Sequence, residues 1–354
     1  MRRYYLLSKV FFLSVVFLGM LSMGFSVETQ PEEARLAVVH AKGSLYLMSY
    51  TSEGKTDLSK LPFYYYWGVI ENNQTLYTLI SHKEGSLAAR YDLRPEIKKT
   101  AEFTLDDKGF RCLFVRDRNL YLGSKDLWHI DFTVEPPVIK EYEKIPPDYA
   151  KDDPSDAYMF KEKTIDAFAL SKDTLFVADN VMQPIYLLRY NIADPRNPVH
   201  IETRDFGGGP NERVTGADAD EKHFLLFRVF SRLDGFGSEL DVYEADSLNR
   251  ITTRSVYNPR REESAERKTW HKGVLAGGKV FVAADREGLG SFVIAKESPF
   301  TIEDASAPCV WLKKDGRFLL SLTGTSVVIY TIENDGKLAR LTSVDLPETC
   351  TEIW

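Results

Sequence analysis

The feature that most constrains the fold of this 354-residue chain is a recurring pattern, in which a short polar turn precedes an apolar run. Turns rich in Gly, Asn and Asp between apolar segments predict tight β-hairpins. An alternating strand and one more short strand follow each hairpin, so the repeat predicts a unit of four antiparallel strands. The six apolar runs begin at Leu76, Leu120, Leu175, Phe224, Val280 and Phe318.

These units recur on average every ~48 residues, which is within the range for the four-stranded blades of a β-propeller. One such sheet cannot bury both of its faces alone, whereas stacking around a central axis buries each face against a neighbour. Aromatic residues make up 12% of the chain, which also favours strands. The predicted fold class is therefore all-β, a β-propeller without a convincing helix.

The two ends of the chain together predict how the ring closes. The six units cover residues 64–347. Residues 35–63 read as three strands that lack an innermost strand, and residues 350–354 read as one strand with nothing after it. Together they predict a seventh blade, in which the C-terminal strand is the innermost strand of blade 1. The alternative is a six-bladed ring with a frayed tail over residues 348–354.

The N-terminal residues predict export. Arg2 and Arg3 precede an apolar run over residues 10–21, and small residues follow it up to Ser26. This order is typical of a secretory signal peptide. We therefore expect a signal peptide over residues 1–26 and a single propeller domain over residues 27–354, secreted or periplasmic and bacterial. An uncleaved membrane anchor is the alternative.

Charge and cysteine content narrow the class of protein further. The net charge is −7, and removal of the three basic residues within positions 1–26 leaves −10, so nucleic acid is not an expected partner. Cys112 is the first cysteine, so a lipid anchor at the cleavage site is not expected, nor is stable membrane insertion after cleavage. Cys309 and Cys350 are predicted near the starts of neighbouring innermost strands, either as a disulfide or as two buried free thiols.

Two segments resemble known propeller families. Residues 166–198, with Ala178 and Asp179 in an apolar strand and a later Asn-Ile-Ala-Asp-Pro run, resemble an LVIVD-type repeat. Residues 315–338 are similar to blades of lactonase-like seven-bladed propellers. Both resemblances imply the fold and neither implies an activity, because the same fold carries unrelated functions. No catalytic position can be carried over from either family.

A function is expected on the face that carries the loops into the innermost strands, called the top face below. Two of these loops are long: residues 146–163 are acidic at their centre, and residues 257–268 are mixed in charge. They form either the walls of a central mouth or ordinary solvated loops. A glycine run at residues 207–209 lets backbone amides approach a ligand, or makes a tight turn between blades.

Alignment of the innermost strands on their turns predicts the residues around the mouth. They are Trp67, Arg111, Asp166, Thr215, either His271 or Lys272, Cys309, and either Thr351 or Glu352. Trp67 and Trp270 suit stacking on a sugar ring or a peptide, although Trp67 lies in a run of aromatics that equally suits core packing. The predicted binding residues are Trp67, Arg111, Asp166, Arg213, Trp270 and His271.

The chain carries no catalytic signature. Its six histidines lack metal-binding spacing, so no metal and no cofactor are predicted. The predicted function is an exported, monomeric, non-catalytic module that binds a protein or a small carbohydrate-like ligand at the top face. The alternative is a hydrolase or lactonase acting on a sugar or lactone, with Asp166 as acid, Arg111 as anion-holding group and His271 as base.

Overall fold

The computed structural model describes residues 34–82, 85–106, 109–147, 160–180, 184–208, 211–259 and 268–354. The predicted signal peptide lies outside the described residues, as do the centres of both long top-face loops. Within the described residues, helix is confined to residues 160–162, and no helix is long and apolar enough to cross a membrane.

The described chain is built from short strands that follow one another at the repeat interval predicted from the sequence. Those of the first four blades are β1 (Arg35–Ala41), β2 (Ser44–Tyr50), β3 (Thr56–Lys60), β4 (Trp67–Glu71), β5 (Thr75–His82), β6 (Gly85–Asp92), β7 (Lys98–Leu105), β8 (Cys112–Arg116), β9 (Asn119–Gly123), β10 (Leu127–Asp131), β11 (Val138–Tyr142), β12 (Thr164–Ser171), β13 (Thr174–Asn180), β14 (Tyr186–Asn191) and β15 (Val199–Asp205). The remainder are β16 (Glu212–Ala219), β17 (His223–Ser231), β18 (Gly235–Glu244), β19 (Arg250–Pro259), β20 (Lys272–Ala276), β21 (Lys279–Ala283), β22 (Leu289–Val293), β23 (Thr301–Asp304), β24 (Trp311–Asp315), β25 (Phe318–Leu322), β26 (Ser326–Ile332), β27 (Leu338–Asp345) and β28 (Cys350–Ile353).

The strands form seven four-stranded antiparallel sheets arranged as a ring, so the seven-bladed β-propeller is confirmed. Blades 2 to 7 each take four consecutive strands, and β4, β8, β12, β16, β20 and β24 are their innermost strands. Blade 1 has the order β28-β1-β2-β3, so strands from both ends of the chain share one sheet. The C-terminal closing strand is therefore also confirmed, and the six-bladed alternative is wrong.

The tight turns between the innermost strands and their neighbours form as the sequence predicts. Asn72 and Asn73 have φ of 52° and 53°, and Gly277 and Gly278 have φ of 56° and 74°. Two successive positive φ angles define the hairpin turn whose twist matches that of its flanking strands, and Asn and Gly tolerate this conformation best. These turns lie at the face opposite the top face, called the bottom face below.

The second and third strands of each blade are apolar on both faces because a blade lies on either side of them. In β13, Phe176 and Ala178 pack towards blade 5, whereas Leu175 and Val177 pack towards blade 3. The ring of Phe176 stacks on that of Phe224 with the centroids 4.6 Å apart. The outermost strands are largely exposed, so the core forms a series of layers between blades.

Polar contacts reinforce the closure between blades 7 and 1. Asp315 at the end of β24 accepts hydrogen bonds from Arg35 at 2.7 Å and from the hydroxyl of Tyr50 at 2.5 Å. Ile353 of β28 is buried in the apolar layer between the same two blades. Cys309 and Cys350 are buried free thiols in this structure, which is the second of the two sequence-based alternatives.

Candidate ligand site in the central channel

The seven innermost strands surround a central channel that holds two adjoining cavities. The upper cavity, of about 290 Å³, lies where these strands begin and is lined by Trp67, Arg111 and Asp166 among others. The lower cavity, of about 640 Å³, extends towards the bottom face. Lys272 and Trp311 line both, so the two cavities adjoin each other. Volumes of this size suit a small organic ligand.

β-bulges occur at the same level on three of the strands around the upper cavity. The pairing register shifts between Ile165 and Ala167 in β12, which leaves Asp166 as the bulged residue. The register also shifts at Thr215 in β16, and it shifts in β28 opposite His40 and Ala41. A bulge redirects a side chain and is frequent next to functional sites. Here the bulges place Asp166 and Thr215 on the cavity wall.

Arg111 and Asp166 form an ion pair in the upper cavity. The Nε atom of Arg111 lies 3.6 Å from Oδ1 of Asp166, and the two side chains are 46% and 7% exposed. The hydroxyl of Thr164 lies 3.3 Å from the same carboxylate oxygen. The carboxylate is therefore held by its neighbours, and Arg111 also lines the cavity.

Lys272 stands where the two cavities meet. Its ammonium lies 4.9 Å from the centroid of the Trp311 ring, an arrangement typical of a cation–π contact. The surrounding protein lowers the pKa of Lys272 because it displaces water, although Asp218 and Glu352 act in the opposite direction. Burial likewise raises the pKa of Glu352 and of Asp218, whose carboxylate accepts the backbone amide of Leu275 at 2.7 Å.

Two further lysines, Lys313 and Lys314, line the lower cavity. Burial lowers the pKa of Lys313 to about 8, although Asp315 partly opposes this change. Lys314 acts on Asp218 through electrostatic attraction. In the described part of the chain, neither ammonium forms an ion pair or a hydrogen bond with a carboxylate.

Three tryptophans supply apolar surface to the channel. Trp67 lines the upper cavity, and both Trp311 and Trp354 line the two cavities. Trp67 also packs against the core between blades 2 and 3, as expected from the aromatic run in which it lies. The indole of Trp311 donates to the carbonyl of Ile353 at 3.1 Å, which fixes the orientation of its ring in the wall.

Three predicted binding residues lie outside both cavities. Trp270 is only 4% exposed and packs on Phe300 in the core between blades 5 and 6, so little of its ring is left for stacking on a ligand. His271 lies 3.7 Å from Asp285, within its own blade. Arg213 is exposed on β16, next to the bulge. Of the two paired alternatives, Lys272 and Glu352 reach the upper cavity, whereas His271 and Thr351 do not.

Four residues that line the channel were not predicted from the sequence: Trp311, Lys313, Lys314 and Trp354. The two lysines belong to a charged run before an Asp-Gly turn, and such a run is typical of a solvated hairpin. The available signal was position, because the run directly precedes the turn and so belongs to an innermost strand.

The potential metal ligands of the described residues are dispersed. Among the described residues, no group of three or more His, Cys, Asp or Glu side chains is placed to hold a metal ion. Asp218 accepts backbone amides, and Asp220 accepts the amides of Lys222 and His223 within its own turn. Both carboxylates thus have structural roles.

A buried ion pair fixes the base of the acidic top-face loop. The Lys144 ammonium donates to the carbonyls of Phe160 at 3.0 Å and Lys163 at 2.8 Å, and to the carboxylate of Asp179 at 2.9 Å. Both side chains of the pair are at most 1% exposed. Burial raises the pKa of Asp179 to about 7, although Lys144 acts against this shift. The two ends of the loop are thereby joined beside the upper cavity.

Comparison with known proteins supports the fold and shows no function. No protein-family model matches the chain, and no curated protein matches it in sequence. Among solved structures, a putative 6-phosphogluconolactonase from Bacteroides uniformis has a TM-score of 0.59 and 13% identity over 92% of this chain and 99% of its own. A hypothetical selenium-binding protein from Sulfolobus tokodaii has a TM-score of 0.56 and 10% identity over 92% and 94%. Apo AztD from Citrobacter koseri has a TM-score of 0.51 and 10% identity over 90% and 96%. At such identities the similarity shows a shared propeller fold and no common function.

Proposed function

We propose that this protein is a non-catalytic binding propeller that takes a small ligand into its central channel. The observation that carries this proposal is the pair of adjoining cavities, walled by tryptophan rings and by lysines that form no ion pair within the described part of the chain. Apolar walls with a few polar groups are typical of small-molecule sites. The top-face mouth is the route by which the ligand enters.

The arrangement of the predicted catalytic residues favours binding over catalysis. A hydrolase that used Asp166, Arg111 and His271 would need all three near one reacting atom. Asp166 and Arg111 are paired in the upper cavity, but His271 lines neither cavity and faces Asp285. The predicted base is therefore separated from the predicted acid.

The first test is a thermal-shift panel of the full chain with neutral sugars, sugar acids, lactones, nucleotides and peptides. A ligand at about 100 times its Kd stabilises a protein by roughly 2.7 kcal/mol, which should raise the Tm by a few degrees. We expect Trp67→Leu and Arg111→Leu to weaken the shift. Tyr66→Leu is the matched control, because Tyr66 precedes Trp67 in the chain, is 49% exposed and lines neither cavity. Full shifts in all three variants would contradict the proposal.

A hydrolase or lactonase remains the second candidate, supported by the buried carboxylate of Asp166 beside Arg111 in the upper cavity. A general acid and an anion-holding group in one cavity suit the opening of a lactone ring. Its test is turnover of a lactone panel by the wild type and by Asp166→Asn. Turnover that survives Asp166→Asn would remove this assignment.

We also propose that the protein is exported, on the basis of the charged, apolar and small-residue order of positions 1–26. Fractionation of cells that produce the full chain should find a shortened protein outside the cytoplasm. Deletion of residues 2–26 should retain the protein in the cytoplasm. An unshortened protein in the membrane fraction would instead support the anchor.

A further inference from the structure

The lower cavity is cationic within an acidic protein. Its lining contains the four basic side chains of Arg35, Lys272, Lys313 and Lys314, against the two acidic side chains of Asp218 and Asp315, which gives +2 when all are charged. The whole chain carries −7. Positive charge is therefore concentrated around the lower cavity of an acidic chain.

The two carboxylates of the lower cavity already have partners. Asp315 accepts hydrogen bonds from Arg35 and from Tyr50, so the guanidinium of Arg35 already has a carboxylate partner. Asp218 accepts the backbone amides of Ala219 and Leu275. Because two carboxylates face four basic side chains, the acids of the cavity neutralise only part of its positive charge. The ammonium groups of the three lysines remain as donors to a ligand.

We propose that the lower cavity binds a small organic dianion with a flat apolar portion, whose two negative charges are held by Lys272, Lys313 and Lys314. This inference rests on the proposed function and specifies the chemical class of its ligand. Two negative charges match the excess of +2, and the rings of Trp311 and Trp354 provide faces for the apolar portion. Both guanidiniums of the channel already pair with carboxylates, so ammonium groups make the main charged contacts.

The state of Lys313 gives the binding a defined pH dependence. Burial disfavours the charged form of Lys313, whereas the nearby carboxylate of Asp315 favours it. Arg35 and Tyr50 both donate hydrogen bonds to that carboxylate. Across the channel lie Lys272, Lys314, Asp218 and Glu352. An anion favours the charged lysine, so binding takes up a proton near pH 8, and the affinity falls as the pH rises from 7 to 9.

The experiment compares three probes that share one ring and differ in charge: benzene-1,3-dicarboxylate, benzoate and benzamide. Their affinities are measured by calorimetry with the full chain at equal ionic strength, at pH 7 and pH 9. We expect the dianion to bind at least tenfold more tightly than benzoate, and benzamide to bind most weakly. Succinate, which lacks the ring, should bind more weakly than the aromatic dianion.

Variants connect the result to the lysines. Lys313→Met and Lys314→Met should each weaken the dianion at least tenfold at pH 7, with folding checked by circular dichroism. Lys313→Arg keeps its charge, so it should stay within threefold of wild type at pH 7 and lose less affinity at pH 9. Lys98→Met is the control, because Lys98 is exposed on β7, an outermost strand.

The inference is overturned if benzamide binds as tightly as the dianion, if all four probes fail to bind, or if Lys313→Met and Lys314→Met both bind as wild type does. These results are distinct from failure of the proposed function. Stabilisation by neutral sugars that depends on Trp67, with no dianion binding, would leave a channel-binding protein whose ligand is uncharged.

Discussion

At the scale of single residues, burial decides what each charged group can do. The Lys144 ammonium has three acceptors, Phe160, Lys163 and Asp179, and no remaining donor, so its role is to hold the loop. The ammonium of Lys313 has no such partners and opens onto the cavity. The sequence does not distinguish the two lysines, because both stand next to acidic residues in polar segments. The difference arises from which strands surround each of them.

Replacement of Lys144 tests the buried pair. Lys144→Met leaves the Asp179 carboxylate buried without its cation, so the free energy of unfolding should fall by about 3–5 kcal/mol at pH 8. Urea denaturation measures this change. Lys98→Met is the control and should change stability by less than about 0.5 kcal/mol.

The loss in Lys144→Met should depend on pH. In the wild type the pKa of Asp179 is raised to about 7, so the folded protein holds this proton more tightly than the unfolded chain does. The contribution of Asp179 to stability therefore falls as the pH rises from about 4 to 7. Without Lys144 the carboxylate is still harder to ionise, so the loss should be larger at pH 8 than at pH 5. An equal loss at both values would contradict a pKa raised by burial.

At the scale of elements, local chemistry determines most of the fold. The Asn-Asn and Gly-Gly turns specify hairpins because their backbones tolerate positive φ, and the apolar runs specify strands between two blades. The closing strand was predictable because residues 35–63 lack an innermost strand. The bulges at Asp166 and Thr215 were not predictable, because a one-residue shift in register leaves no clear mark in the local pattern. The upper cavity depends on these bulges, so its geometry required the structure.

The burial of the closing strand β28 can be tested with two substitutions in that strand, one at a buried residue and one at an exposed residue. Ile353 of β28 is 3% exposed and packs between blades 7 and 1, so Ile353→Ala should lower the free energy of unfolding by about 2–4 kcal/mol. Thr351 is exposed on the same strand, and Thr351→Ala should cost less than about 0.5 kcal/mol. Equal effects of the two changes in urea denaturation would contradict a buried closing strand.

At the scale of the whole molecule, the ring separates two kinds of surface. The chain as a whole is acidic and its outermost strands taken together carry no net charge, whereas the channel concentrates lysines and tryptophans. The repeat length and the turns predict this ring and its mouth. Which side chains enter the channel depends on how seven innermost strands tilt towards one axis, which no single blade specifies. Arg111 and Asp166 line the upper cavity because they lie at the start of their strands, whereas Lys313 and Lys314 line the lower cavity.

Hydrogen–deuterium exchange, with and without the panel ligand that stabilises the protein most, tests the channel site most directly. We predict that exchange slows in the innermost strands β16, β20 and β24 and in the segment around Arg111. Exchange in the outermost strands should not change. Amides near the ligand lose access to solvent, and local opening becomes rarer in a ligand-stabilised region. Protection confined to the outermost strands, or a panel without any stabilising ligand, would contradict a small-molecule site in the central channel.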